Sequence, residues 1–139
     1  MSAAPKILVV DDDATHLLLT RELLEAEGYE VQVHQSAFGA TERIIQHAPD
    51  LVLMDVNMPA LSGEGLVGVL RRREWTRDVR VLLHSSNDEH ALRASAERLG
   101  IDGYVPKGDP ALLRRRVAEA LRGRPPGGPA ARRDAGRGR

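Results

Sequence analysis

Residues 6–13 read Lys6-Ile7-Leu8-Val9-Val10-Asp11-Asp12-Asp13, an unbroken apolar run that ends abruptly in three acids. A short continuous run of this kind is a strand buried on both faces, and such strands belong to parallel sheets covered by helices. The acids mark its carboxyl end. Further along, Asp50-Leu51-Val52-Leu53-Met54 leads in the same way to Asp55, and Val79 to His84 is a third apolar run, followed by Ser85-Ser86. Two lighter strands complete the set: Tyr29 to His34, which alternates apolar and polar residues, and Gly103-Tyr104-Val105.

Helix signals fill the intervals. From Ala14 to Glu27, Leu17, Leu18 and Leu24 recur at helical spacing, and Gly28 is the stop. Ala37 to His47 reads as a helix ended before Pro49; after a loop with Met58-Pro59, Ser62 caps a third that runs to about Arg73. Asp88 to Leu99 is stopped by Gly100, and Pro110 to Arg122 takes Asp109 as N-cap. Strands and helices in strict alternation predict an α/β fold: a five-stranded parallel sheet of flavodoxin-like order 2-1-3-4-5, with helices on both faces.

The 139 residues suit one domain, and zero Cys excludes disulfides, thiolate metal sites and cysteine nucleophiles. No apolar run approaches the ~20 residues that span a bilayer, so membrane insertion is not expected. Met1 to Lys6 is too short and polar to open a secretory signal, which makes a cytoplasmic location the expectation. The 20 Lys+Arg balance 20 Asp+Glu only as an average. Residues 123–139 (GRPPGGPAARRDAGRGR) hold five Arg and one Asp, which leaves residues 1–122 with 15 cationic side chains against 19 acidic ones. That Gly/Pro/Arg segment cannot bury enough surface to offset the entropy of ordering and is expected to be a disordered tail. The folded domain is expected over residues 5–122.

In a sheet of this order, ligands bind beyond the carboxyl ends of the strands where the order reverses, here between the first and third. Asp11, Asp12 and Asp13 then meet Asp55 in one crevice. Clustered carboxylates repel unless a cation sits among them, and hard oxygen donors suit Mg2+. The fourth strand delivers Ser85 and Ser86 to the same rim, and the fifth delivers Lys107, a point charge fitted to a phosphate or carboxylate oxygen. A carboxylate can attack phosphorus and carry an acyl phosphate, with metal, lysine and hydroxyl neutralising the phosphoryl oxygens.

Four segments in this order, Val9-Val10-Asp11-Asp12, Leu53-Met54-Asp55-Val56-Asn57-Met58-Pro59, Ser85-Ser86 and Gly103-Tyr104-Val105-Pro106-Lys107, resemble the signature of response-regulator receiver domains. The resemblance covers residues 6 to 122. It implies that Asp55 accepts a phosphoryl group from a phosphohistidine on a sensor histidine kinase or phosphotransfer protein. It also implies that Asp11, Asp12, Asp55 and the backbone carbonyl of Asn57 hold Mg2+, with Asp12 a direct ligand. Lys107 matches the phosphate-pairing lysine, Ser85 the switch hydroxyl and Tyr104 the switch aromatic. Tyr104 would turn inward as Ser85 moves towards the phosphate, reshaping a protein-binding face for a downstream protein target. Asn57, Ser86 and Asn87 flank the pocket, where residues influence the lifetime of the phosphate. Such a protein catalyses only its own phosphorylation and dephosphorylation. A stand-alone receiver is expected, working by protein contact or within a phosphorelay, with no direct DNA binding. Two positions depart from the pattern: Gly108 follows Lys107 where the family usually has proline, and Ser86 replaces a smaller residue.

Simpler readings compete. Acids at 11–13 also favour a helix N-terminus, although Asp13 alone would serve that need. Gly63-Glu64-Gly65-Leu66-Val67-Gly68 matches a dinucleotide-binding pattern, but seven residues separate it from Asp55, so Gly65 and Gly68 are expected to permit close helix packing instead. The five His (16, 34, 47, 84, 90) lack metal-ligand spacing; His84 is expected in a strand and the rest on the surface. Trp75 is expected to be partly exposed, and Arg71-Arg72-Arg73 and Arg114-Arg115-Arg116 to be solvated helix faces. Two rival functions remain. One is a Mg2+-dependent phosphohydrolase with an aspartyl nucleophile of the haloacid-dehalogenase type, which places a second Asp two residues after a nucleophile on the first strand, where this chain has Asn57 and a third-strand Asp55. The other is a phosphorylation-independent interaction module on the same fold.

Overall fold

Strand β1 (Lys6–Val10) sends alternate side chains to opposite sides, and both sides are covered: Ile7, Leu8, Val9 and Val10 are all buried. The structure, a computed structural model, describes residues 4–36, 38–57 and 63–122. The expected Met58-Pro59 loop, the Ser62 cap and the disordered tail over 123–139 lie outside the described residues. Helices α1 (Ala14–Glu25), α2 (Ala40–His47), α3 (Gly63–Arg72), α4 (Glu89–Leu99) and α5 (Pro110–Arg122) alternate with β2 (Glu30–His34), β3 (Leu51–Met54), β4 (Arg80–Ser85) and β5 (Gly103–Pro106). The sheet has the order β2-β1-β3-β4-β5, and every pairing is parallel.

The two-residue period of the strands divides the core in two. Leu8, Val10, Val52, Met54, Val81 and Leu83 face one way, onto Ala40 and Ile44 of α2, Leu66, Val67 and Leu70 of α3, and Leu92 and Ala96 of α4. Ile7, Val9, Leu51, Leu53, Leu82 and Val105 face the other, onto Leu17 and Leu24 of α1 and Leu113 and Val117 of α5. Three helices therefore cover one face and two the other, which agrees with the layering expected from the sequence.

Element ends moved by one to three residues. Helix α2 starts at Ala40 rather than Ala37, because Gly39 takes a left-handed φ of +78° that a helix cannot contain. Helix α1 stops at Glu25, two residues early, and the chain turns through Gly28 at φ +94°. Strand β5 takes in Pro106, which pairs with Ser85 at the sheet edge, where a missing N–H is tolerated.

Three surface expectations needed correction. A Cβ on Gly68 would meet only the Arg72 guanidinium, at 3.8 Å, so this glycine does not serve close helix packing. Arg71 is no solvated residue: its Nη1 donates to the carbonyls of Arg77 at 2.7 Å and Val79 at 2.9 Å, fastening the loop into β4. Trp75 stands almost free, at 73% exposure. Helix α4 begins where Asp88 Oδ1 accepts the Ala91 N–H at 3.0 Å. Asp88→Ala strands that donor and should cost about 1 kcal/mol, read as a lower urea midpoint at unchanged slope.

Candidate functional site

Register brings the strand ends together. Val10 pairs with Met54, and the Asp55 N–H donates to the Val10 carbonyl at 3.0 Å, so Asp11 and Asp55 leave adjacent strands side by side. Asp11 and Asp55 are 2% and 6% exposed, whereas Asp12 faces solvent. One carboxylate oxygen from each of the three lies within 4.8 Å of the others, the sole such cluster of potential metal ligands among the described residues.

Lys107 reaches into this cluster from the end of β5. Its Nζ is 2.8 Å from Asp11 Oδ2 and 3.0 Å from Asp55 Oδ2. Burial works against the ammonium, but the hydrogen bonds to Asp11 and Asp55, and their charges, outweigh it and raise Lys107 above its ordinary 10.5. The lysine is therefore charged and offsets part of the acid–acid repulsion. Gly108 follows it at φ +99°, a conformation closed to proline, whose ring fixes φ near −65°. A proline at position 108 would therefore need a different turn out of β5.

Asp55 Oδ1 accepts the backbone N–H of Asn57 at 2.9 Å. The Asn57 amide donates to Ser85 Oγ at 3.1 Å and to Asn87 Oδ1, tying the loop after β3 to the end of β4. Ser85 is fully buried, while Ser86 is exposed. Tyr104 is engaged elsewhere. Its hydroxyl accepts from Arg93 Nε at 3.0 Å and donates to Glu89 Oε2 at 3.1 Å, both on α4. The Arg93 and Arg116 guanidinium carbons lie 5.9 and 5.4 Å from the ring centre, and Arg116 Nη1 donates to the Tyr104 carbonyl at 2.6 Å. Arg116 is therefore not part of a solvated face, as the sequence suggests, but a link between α5 and β5.

The sequence did not place either of two histidines beside the acids, although His84 lies in β4 as expected. His16, expected on the surface, has a side chain only 22% exposed, and its Nδ1 lies 3.0 Å from Asp11 Oδ2. Its ring centre is 4.9 Å from that of His84 in β4. His84 is 5% exposed; burial drives its pKa down to about 3, with His16 and Lys107 pushing the same way and Asp55 opposing them. The available signal was position: Asp13 caps α1 by accepting the His16 N–H, which puts His16 in the turn beside the strand end. Both histidines also line a groove of about 340 Å³ between α1 and α5, with Leu19, Leu23, Pro110 and Leu113.

The donor set fits a hard cation. Three carboxylate oxygens converge, Asp12 opens the cluster to water, and such ligands suit Mg2+ rather than a softer metal.

Residues 7–118 match the family model described as response regulator receiver domain. Among curated proteins, the chain is 37% identical over 109 residues to the sensor protein GacS of Pseudomonas syringae pv. syringae, covering 76% of this chain and 12% of that protein. It is 34% identical over 123 residues to the phosphate regulon transcriptional regulatory protein PhoB of Rhizobium meliloti (strain 1021), covering 87% of this chain and 54% of that one. The chain thus spans about half of one relative and a small part of the other. Among solved structures, the CheY-like response regulator receiver domain protein of Methanospirillum hungatei JF-1 superposes with a TM-score of 0.76 at 26% identity, covering 86% of this chain and 94% of that one.

Proposed function

This chain belongs to the response regulator receiver domain family, and from that premise we propose that Asp55 is its phosphoacceptor, loaded from a phosphohistidine. The observation that carries the assignment is Lys107 Nζ held between Asp11 Oδ2 and Asp55 Oδ2, a cation shared by the two buried strand-end acids. A carboxylate oxygen of Asp55 attacks phosphorus as the P–N bond breaks, the imidazole leaves, and an acyl phosphate remains on the protein. Bound Mg2+, held by Asp11, Asp12, Asp55 and the Asn57 carbonyl, would supply positive charge against the phosphoryl oxygens.

Lys107 follows the charge from the carboxylate to a phosphoryl oxygen, and the Ser85 hydroxyl turns towards the same group. That movement loosens the Asn57–Ser85–Asn87 links and frees Tyr104 to leave Glu89 and Arg93. The face built from α4, β5 and α5 then changes, which is the signal to a downstream protein. The partners are a sensor histidine kinase or phosphotransfer protein upstream and a protein target downstream, with this chain itself in the cytoplasm. Asn57, Ser86 and Asn87 set the phosphate lifetime, and the protein acts on no substrate beyond its own phosphate. No helix among the described residues is long and apolar enough to cross a membrane.

The test is incubation with acetyl phosphate, read by intact mass. One phosphate should be added with Mg2+ present and none with excess chelator; no uptake with Mg2+ overturns the assignment.

A further inference from the structure

Asp11 is held at both oxygens. Its Oδ1 accepts the Asp13 N–H at 3.0 Å, and its Oδ2 receives Lys107 Nζ at 2.8 Å and His16 Nδ1 at 3.0 Å. Lys107 is shared with Asp55, so it leaves Asp11 less restrained whenever it follows charge on the neighbouring acid. Among the described residues, His16 Nδ1 bonds to Asp11 alone, and its ring rests against His84, 4.9 Å away between centres. A carboxylate oxygen only accepts, so Nδ1 carries the proton of this bond, which in a neutral ring is the Nδ1–H tautomer.

We infer that His16 is a positioning residue for cation binding: its Nδ1–H fixes the carboxylate of Asp11 in the orientation that meets Asp12 and Asp55. The inference rests on the proposed Mg2+ role of these three acids. A ligand carboxylate already anchored from behind loses less freedom when the ion arrives, and outer hydrogen bonds of this kind commonly change metal affinity tenfold or more. A histidine serving only as packing between α1 and β4 would be replaceable by leucine, which fills similar space and donates nothing.

The experiment measures Mg2+ affinity of the unphosphorylated protein by titration calorimetry for the wild type, His16→Leu and His16→Asn. Asparagine places an amide N–H close to where imidazole carries Nδ1. His16→Leu should weaken Mg2+ binding by on the order of tenfold, and His16→Asn should restore most of the loss. Long-range 1H–15N spectra of the wild type should show His16 as the Nδ1–H tautomer. Unchanged affinity in His16→Leu overturns the inference, as does an equal loss in both variants, which would assign the effect to packing. An Nε2–H tautomer in the wild type overturns it independently. Absence of Mg2+ binding by the wild type would instead overturn the metal reading beneath it.

Discussion

Asp55→Asn should take up no phosphate from acetyl phosphate under conditions that load the wild type, while remaining folded. Substitution by the amide keeps an oxygen for the Asn57 N–H that Asp55 Oδ1 accepts at 2.9 Å. It removes the attacking carboxylate and one of three clustered negative charges, and Lys107 retains Asp11 at 2.8 Å. Loss of the Lys107–Asp55 attraction and relief of acid–acid repulsion oppose one another, so stability should change by well under the roughly 3–5 kcal/mol that breaking a buried pair outright costs. Intact mass reads the first expectation and urea denaturation the second. Uptake equal to the wild type would move the acceptor to another residue. A collapse in stability would mean that Asp55 is chiefly a structural partner of Lys107.

The second large effect concerns acid. His84 takes a proton near 6.5 when unfolded but only near 3 when folded, because β4 buries it and His16 and Lys107 lie close. Between these values the unfolded chain binds one more proton than the native one. The stabilising contribution is therefore complete above pH 6.5 and is lost as pH falls towards 3, at about 1.4 kcal/mol per pH unit. The full loss is about 5 kcal/mol, a large fraction of a small domain's stability. His84→Leu keeps the apolar bulk and removes the titration. Between pH 6 and pH 4 the wild type should lose about 2–3 kcal/mol more than the variant, measured as urea-unfolding free energies at a series of pH values. Parallel curves for the two proteins would sink the prediction. The two proteins differ only at residue 84, so the difference between their curves isolates it.

Most of the fold was legible because its signals are local. Apolar runs at 6–10, 50–54 and 79–84 announce strands by themselves, and the acids or hydroxyls directly after them announce the rim. Asp11, Asp55, Ser85 and Lys107 all sit at such ends, so the order of strands alone brings them together. What escaped depends on contacts between elements. His16 lies five residues from Asp11 across a strand-to-helix junction, where neither a strand period nor a helix period relates them. Arg71 looks solvated in a basic run until its loop carbonyls are placed, and Arg116 until Tyr104 lies beneath it. The early start given to α2 overlooked Gly39, since a residue type alone does not reveal a left-handed φ.

Pro106 sits in the outermost strand, where every other backbone amide offers a rung to an incoming segment. Its ring leaves one rung missing, so a foreign strand could not extend the hydrogen-bond ladder continuously along that border. A partner that docks along this border would therefore be read by side chains of α4 and α5. Main-chain pairing is indifferent to sequence, whereas side-chain contact is selective, and selectivity is what keeps one signalling chain from answering to another's messages.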